Sequence, residues 1–386
     1  MQRSRLQTSA PCYQNPAPWK SRLDFSTLII CVTLAENRIL GLVFRIPANQ
    51  DREYEFMIRV GIIGFGKMGR IRAEVIRRYG RGEIACVYDP NISQNSTDLL
   101  ILPSIDDILN DGTIDSVFIC TPNYLNRPLT LQALRADKHV FCEKPPAFNA
   151  SEVEDIRKVE KKSGKRLMYG FNHRHHSSIQ HMKRIIDEGE YGDVLWLRGR
   201  YGKSVDASFY SSWRSKKEMA GGGILLDQGI HMLDLFLYLG GEFDEIEAFI
   251  SNLYWKTEIE DNVFAILRNR RTGVVASLHS TMTQWRHLFS LEVFLSRGYI
   301  VLNGLKTSSG TYGEEVLSIA KNRSTAPAAT WEDEERIVFH EDISWRNEID
   351  HFFDTIENGV PVRTGNSSDA LVLMRTIDMI YRRGRQ

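Results

Sequence analysis

The sequence predicts an α/β fold, with an N-terminal doubly wound parallel sheet and a C-terminal α+β region on an open, mainly antiparallel sheet. First, an apolar run from Met57 to Ile63 enters the turn Gly64-Phe65-Gly66-Lys67-Met68-Gly69, and a helical stretch, Arg70 to Tyr79, follows. Second, short apolar runs and helical segments alternate as far as Asn172, the pattern of parallel strands joined by crossover helices. Third, beyond Asn172 long runs alternate apolar with polar residues, the period of antiparallel strands with one buried face.

In order, Ile84 to Tyr88 is an apolar run ending in Asp89, 20 residues past Gly69. Asp115 to Cys120 is a continuous apolar run closed by Thr121-Pro122-Asn123, as expected of a strand buried on both faces. Pro128 to Ala136 reads as a helix, and His139 to Cys142 as a strand ending in Glu143-Lys144-Pro145-Pro146. A helix from Ser151 to Lys162 follows, with Ser151 as N-cap and Glu154 at the capping-box position. Arg166 to Phe171 is a further strand. The alternating runs are Val194 to Tyr201, Glu245 to Tyr254, Asn262 to Leu267, Val274 to Thr283 and Leu288 to Leu295. In the Val274 run, Ala276, Leu278 and Met282 share an apolar face, and Ser277, His279, Thr281 and Thr283 a polar one. That polar face is expected to meet solvent or a wet subunit interface. Helices at 177–188, 229–239, 345–357 and 368–382 are expected to complete the α+β region.

At 386 residues the chain exceeds one ordinary core, so two domains are expected, over 57–172 and 173–386. Residues 1–56 belong to neither. They carry Arg3, Arg5 and scattered prolines with no acid before Asp24, resembling a transit peptide only loosely. Either Met57 is the working start and this is an extension, or it is a genuine, poorly ordered arm. Its apolar piece, Leu28 to Leu34, is far shorter than a membrane span. Lys+Arg and Asp+Glu balance at 49 each, so neither a basic surplus for nucleic acid nor an acidic tail is present. Cys86, Cys120 and Cys142 fall in or beside strand-like runs and no pair has zinc-ligand spacing, so buried, reduced thiols and a cytoplasmic location are expected.

The glycine turn has the spacing of a dinucleotide site. Gly64 allows the tight turn, Gly66 admits a pyrophosphate to the backbone, and Gly69 lets helix and strand pack closely. The helix N-terminus offers free N–H groups and a positive dipole end. Asp89 can accept bonds from ribose hydroxyls and would repel a 2′-phosphate, while Pro90 and Asn91 bring no cation. NAD is therefore favoured over NADP, with Arg70 and Arg72 the residues able to offset that repulsion.

Ligands of open α/β sheets bind beyond the carboxyl ends of the strands, where Thr121, Pro122, Asn123, Glu143 and Lys144 all sit. An ammonium beside an oxidised nicotinamide has its pKa lowered, so Lys144 suits proton transfer with a substrate hydroxyl. The alternative is a surface lysine before a proline turn. In Gly221-Gly222-Gly223-Ile-Leu-Leu-Asp227-Gln-Gly-Ile-His231-Met-Leu-Asp234, Asp227 reads as a helix N-cap with His231 one turn later. A carboxylate there would fix the imidazole tautomer for a general base, and Asp234 is the alternative holder. The three glycines are expected to let the loop approach a ligand. His173-Arg174-His175-His176 matches no structural-zinc pattern, so no metal is expected, and Asn172 and Arg174 are assigned to the substrate cleft. Tyr201-Gly202-Lys203 and Tyr210-Ser-Ser-Trp213-Arg214 suit sugar stacking and anionic substituents, although Trp213 equally suits a loop anchor.

Taken in order, Gly64-Phe-Gly66-Lys-Met-Gly69, Thr121-Pro-Asn123, Glu143-Lys144-Pro145 and Gly221-Gly-Gly-x-Leu-x-Asp227-x-Gly-x-His231 resemble the glucose–fructose oxidoreductase/inositol dehydrogenase (Gfo/Idh/MocA) family. The resemblance runs from Met57 to about Arg382, and the last cluster is its most specific part. It implies a Rossmann domain, an open-faced sheet domain that often mediates dimers or tetramers, and NAD(P)-dependent chemistry at a carbon of a sugar, cyclitol or nucleotide-sugar. Lys144 and His231 match the family's catalytic pair and Asp227 its supporting acid. A cis bond before Pro145 is implied as well. Asn126 stands where many members carry histidine, a departure that touches local contacts rather than the reaction class. Two other functions are compatible: cleavage of a glycosidic bond through transient use of NAD, and a non-catalytic NAD sensor, which has no need of Lys144, Asp227 and His231 together.

Overall fold

The computed structural model describes residues 57–307, 309–321 and 330–384. The expectations for residues 1–56 lie outside the described residues. Residues 56–386 cluster as one compact unit containing two sheets.

The first sheet comprises β1 (Ile58–Ile63), β2 (Gly82–Tyr88), β3 (Ser116–Ile119), β4 (His139–Glu143) and β5 (Leu167–Gly170). All pairs are parallel, in the order β2-β1-β3-β4-β5. The connecting helices are α1 (Lys67–Tyr79), α2 (Ile105–Asn110), α3 (Asn126–Arg135) and α4 (Ala150–Ser163). Every residue of β3 and β5 is buried, as their unbroken apolar runs require. The cap of α4 differs from the one expected. Asn149, not Ser151, is the N-cap; its Oδ1 accepts the Glu152 N–H at 3.0 Å and the Ser151 hydroxyl at 2.7 Å. Glu152, not Glu154, reaches back to the Phe148 N–H at 2.9 Å. Asn149 sits two residues earlier, in extended backbone, and takes the role first.

The second sheet follows α5 (Ser177–Glu188). It holds β6 (Val194–Gly202), then, after α6 (Lys217–Ala220) and α7 (Ile230–Gly240), β7 (Glu245–Ser251), β8 (Asn262–Arg268), β9 (Val275–Thr281), β10 (Leu288–Leu295), β11 (Gly298–Asn303), β12 (Glu315–Lys321) and β13 (Glu335–Phe339). The order is β13-β12-β11-β10-β6-β9-β8-β7, antiparallel except for the parallel β6–β9 pair. The strands β11 to β13 extend it beyond the alternating runs visible in the sequence. α7 packs on β6 and β9, and Gly199 permits this contact, since a Cβ there would lie 2.4 Å from Met232 Sδ. The opposite face is open. It is less polar than β9 alone suggests: Phe249 is 81% exposed, and Phe264 and Ile266 are also exposed.

The last two helices, α8 (Ser344–Glu357) and α9 (Ser367–Arg383), do not simply complete the second layer. α8 returns to the parallel sheet, where Phe352 meets the stacked Phe118–Phe141 pair edge-on at 5.7 and 5.6 Å. Ile349, Phe352 and Phe353 join Ile58, Ile62, Phe118, Phe141 and Met168 in one buried cluster. The need is geometric: α1 brings only Ala73, Ile76 and the partly buried Val75 to that face, too little to cover the strands bearing Phe118 and Phe141. α9 lies against α4, β5 and β7, and so touches both sheets.

Arg72 of α1 joins these layers. Its fully buried guanidinium lies between the rings of Phe141 and Trp345, at 4.4 and 4.6 Å. Its Nε donates to Glu143 at 2.8 Å and one terminal nitrogen to Glu348 at 2.6 Å. Burial pushes the Glu348 carboxyl up to about 7, against the pull of Arg72. Replacing Arg72 with Met strands two buried carboxyl groups and is expected to cost about 3–5 kcal/mol of unfolding free energy, read from the denaturant midpoint. An unchanged midpoint would show that the clamp contributes nothing.

Candidate active site

The turn between β1 and α1 is built for an anion. Gly64 has φ +89°, and a Cβ there would lie 2.6 Å from the Cys120 carbonyl oxygen. A Cβ on Gly69 would lie 2.1 Å from the Gly64 carbonyl oxygen, so only glycine lets the helix approach this closely. A Cβ on Gly66 would meet nothing within 4 Å, which leaves open space above the backbone at the centre of the turn. α1 starts at Lys67 with no side-chain cap and no acid in its first turn, so its leading N–H groups, including that of Met68, are free for a phosphate. Asp89 borders the turn: one carboxylate oxygen accepts the Phe65 N–H at 2.8 Å, the other the Asn91 N–H at 2.9 Å. Each oxygen keeps lone pairs for further donors. These features fit a dinucleotide.

Thr121, Pro122 and Asn123 close β3 at the same edge, and the Asn123 amide donates to the Ala220 carbonyl at 2.9 Å. Asn126 is fully buried and donates to the carbonyls of Glu143 (3.1 Å) and Pro145 (2.8 Å). It thereby fastens the segment carrying Lys144, whose bond to Pro145 is cis. Glu143 turns away from the expected cofactor position, because its carboxylate is committed to Arg72.

Lys144 Nζ donates to the Asp227 carbonyl at 2.5 Å and reaches its Oδ1 at 3.3 Å. Lys203, just past β6, donates to the other oxygen, Oδ2, at 2.8 Å. Burial lowers the Lys144 pKa, with the Asp227 charge acting against it and the Arg214 and Lys203 charges adding to it. Burial alone would raise the Asp227 pKa, but Lys203, Lys144 and Arg214 outweigh it and hold that carboxyl well below its ordinary value.

Asp227 is not a helix N-cap. It lies inside a π-helical turn, Leu225–Gly229, that runs directly into α7. The extra residue in that turn breaks the expected one-turn relation with His231. Asp227 bonds the two lysines, and Asp234 pairs with Arg174 at 2.6 Å instead of holding the imidazole. The His231 ring stacks on His173 at 3.9 Å, and its Nδ1 is buried with no hydrogen-bond partner. Burial, then the Lys144 charge, pushes the His231 pKa well below 6.5, so the ring is neutral at neutral pH.

Other expected residues are placed differently. Arg174 does not line a cleft; its buried guanidinium is spent on Asp234, Asp369 and Thr364. Tyr201 is buried, with its hydroxyl 2.8 Å from His173 Nε2. Asn172 lies behind His173, its Oδ1 3.1 Å from the ring Nδ1. An amide oxygen only accepts, so Nδ1 of His173 donates and Nε2 receives the tyrosine proton. Gly221, Gly222 and Gly223 make room for Phe148, Tyr381 and Glu260, and Gly222 and Gly223 also line the pocket beside Asp227. Trp213 and Arg214 do face the site, lining a narrow pocket with Asp227, and the guanidinium lies 4.3 Å from the Trp213 ring. Lys203 as a partner of Asp227 and Asn126 as a fastener were not foreseen; the lysine's place just past a strand end is the one local signal.

A dinucleotide-type turn, a lysine beyond the next strands and a helical segment packed on the second sheet that delivers an aspartate and a histidine define a pyridine-nucleotide oxidoreductase. Residues 58–171 match the model of the oxidoreductase family's NAD-binding Rossmann fold, and residues 179–301 that of the GFO/IDH/MocA C-terminal domain. The chain is 29% identical over 259 residues to the 2,7-anhydro-N-acetylneuraminate hydratase of Escherichia coli (strain K12), covering 65% of this chain and 67% of that one. It is 36% identical over 146 residues, 37% of either chain, to the levoglucosan dehydrogenase of Pseudarthrobacter phenanthrenivorans. A solved levoglucosan dehydrogenase in complex with NADH and levoglucosan superposes with TM-score 0.76 at 23% identity, over 85% of this chain and 97% of that one. The chain belongs to the Gfo/Idh/MocA family of NAD(P)-binding oxidoreductases, whose members include sugar dehydrogenases. Among the described residues no helix is long and apolar enough to cross a membrane.

Proposed function

We propose that this protein is an NAD-dependent dehydrogenase or reductase acting on a hydroxyl-bearing carbon of a sugar, cyclitol or nucleotide-sugar, with Lys144 and His231 sharing the proton. The observation that carries this reading is the meeting of Lys144 with Asp227 beside a neutral, incompletely bonded His231. Bound NAD supplies the hydride acceptor in oxidation and, once reduced, the donor in the reverse direction. The Gly64–Gly69 turn and Asp89 would hold its phosphates and ribose, and Thr121, Pro122 and Asn123 would border its nicotinamide half.

The lowered pKa brings the neutral amine of Lys144 within reach at a milder pH, where it accepts the proton of a substrate hydroxyl. Asp227 then steadies the ammonium that forms. Neutral His231 offers a second acceptor. For the adenosine half, Asp89 favours NAD, since a 2′-phosphate would face its charge. Arg70, whose guanidinium lies over the Phe65 ring at 4.8 Å, is the nearby cation.

A second reading draws on the relative named a hydratase: NAD is used transiently and a sugar bond is cut without net redox change. Net NADH formation separates the two. We also propose a homodimer or homotetramer formed through the open sheet face, where Phe249 pairs across with Phe264 and Phe264 stacks on His279 at 4.0 Å.

Four outcomes are expected. Lys144→Ala lowers kcat by about 10²–10⁴-fold while NADH still binds, and full turnover would remove Lys144 from the mechanism. Asp227→Asn deletes the charge that raises the Lys144 pKa, so the rising limb of the oxidation pH profile moves to lower pH; a limb that moves up contradicts the assignment. With either substrate class, kcat/KM with NAD exceeds that with NADP by about tenfold or more, and an inverted ratio reassigns the cofactor. For assembly, Phe249→Lys with Phe264→Lys yields a monomer by sedimentation where the parent chain is oligomeric; a monomeric parent rejects the interface.

A further inference from the structure

The charges around Asp227 do not balance. Lys144 and Lys203 both bond its carboxylate, and Arg214 acts on it from the adjoining loop. Glu143 is the other acid that acts on Lys144, and Arg72 already neutralises it. Three cations thus gather on one available carboxylate. Among the described residues Arg214 has no ion-pair partner, although Arg and Lys side chains elsewhere in the fold are widely paired. Its guanidinium is oriented nonetheless, because one face is covered by Trp213. The planar fork of N–H donors is left free at its edge, the geometry that takes an oxyanion in two parallel bonds.

The surroundings restrict where that anion would sit. Arg214 and Trp213 share a pocket with Asn123, Gly222, Asp227 and Met282. Asp227 on its wall places the pocket next to Lys144, and Asn123 places it at the end of β3. The phosphate-type site at the start of α1 is a different feature, built from backbone N–H groups. Nothing about a neutral sugar calls for a third cation here: Asp227, the acid on the pocket wall, is already bonded by both lysines, which leaves the Arg214 guanidinium without a counter-charge.

We infer that the substrate carries an oxyanion, a carboxylate or a phosphate on the sugar, received by Arg214 on its Trp213 shelf with Lys203 close behind. This rests on the sugar-oxidoreductase reading for the reaction but not for the binding. The favoured substrates are then acidic sugars such as hexuronates or hexose phosphates, and unsubstituted hexoses are poor ones. Arg214 is a specificity residue that touches the substituent rather than the reacting carbon.

The test is direct binding to the full chain loaded with NADH, followed through tryptophan fluorescence, using hexuronates, hexose phosphates and unsubstituted hexoses. At least one anionic class is expected to bind about tenfold or more tighter than the hexoses, and to weaken as salt is raised. Arg214→Met removes that advantage, Arg214→Lys restores part of it, and NADH affinity in both variants confirms folding. The two anionic arms tell a carboxylate from a phosphate. Equal binding of hexoses and anions, binding of no anion, or an Arg214→Met variant that keeps the preference would each overturn the inference. NADH formation is scored separately. Anions that bind tightly without net redox turnover sink the dehydrogenase reading and leave this one standing, whereas turnover of hexoses with no anion preference does the reverse.

Discussion

The buried guanidinium of Arg72 is the constraint on which the site depends. It fixes Glu143, the last residue of β4, and the next residue along the chain is Lys144. Its other carboxylate partner, Glu348, belongs to a helix that arrives 276 residues later in sequence. A charge placed so deep is tolerable only when paired and enclosed, and here two acids and two aromatic faces supply that enclosure. The geometry at the end of β4 is therefore tied to the docking of α8, and the parallel sheet is covered only once the chain has nearly ended.

Asp227 is the second node, and its task follows from charge rather than from helix spacing. Between Lys144 and Lys203 it stays ionised, since two ammonium groups outweigh its burial. It fastens Lys144 through its backbone carbonyl as well as its side chain, so the amine is positioned even when its charge is lost. His231, beyond the π turn, is denied a carboxylate and remains neutral. In the proposed reaction the pair would divide the work: an amine whose protonation is adjustable, and an imidazole that stays an acceptor.

Much of this was legible in the chain. The roles of Gly64, Gly69 and Asp89 follow from local backbone demands, and local demands are written in neighbouring residues. Lys144, Asp227 and His231 could be named because their motifs are contiguous, but their bonding could not. An i, i+4 pairing of Asp227 with His231 assumes a regular α-helix, and the π turn at Leu225–Gly229 removes that regularity. Arg174 and Tyr201 have the look of cleft residues, polar or aromatic and beside strand ends. Their true partners lie 60 and 28 positions away, and such distances leave no trace in a local pattern. The side chains that crowd the Gly221–Gly223 run were hidden for the same reason, as Phe148, Tyr381 and Glu260 lie far apart in sequence.

Glu260 shows how such distant contacts shape the site without entering it. Its buried carboxylate accepts the N–H groups of Gly223 (2.8 Å) and Leu225 (3.1 Å) and the Tyr381 hydroxyl (2.8 Å). It caps the start of the helical segment that carries Asp227 and ties it to α9. Helix N-termini need such acceptors, and no Ser, Thr, Asn or Asp stands before Gly223 to provide one locally. A carboxylate from the strand-connecting loop before β8 fills the role, and the glycines make room for it. Arg72 and Glu260 thus perform matching tasks: one holds the segment bearing Lys144, the other the segment bearing Asp227. Each does so through a late helix, α8 or α9. The amine and the carboxylate meet because both segments are anchored from behind by the end of the chain, and a site read from its motifs alone omits the residues that make it converge.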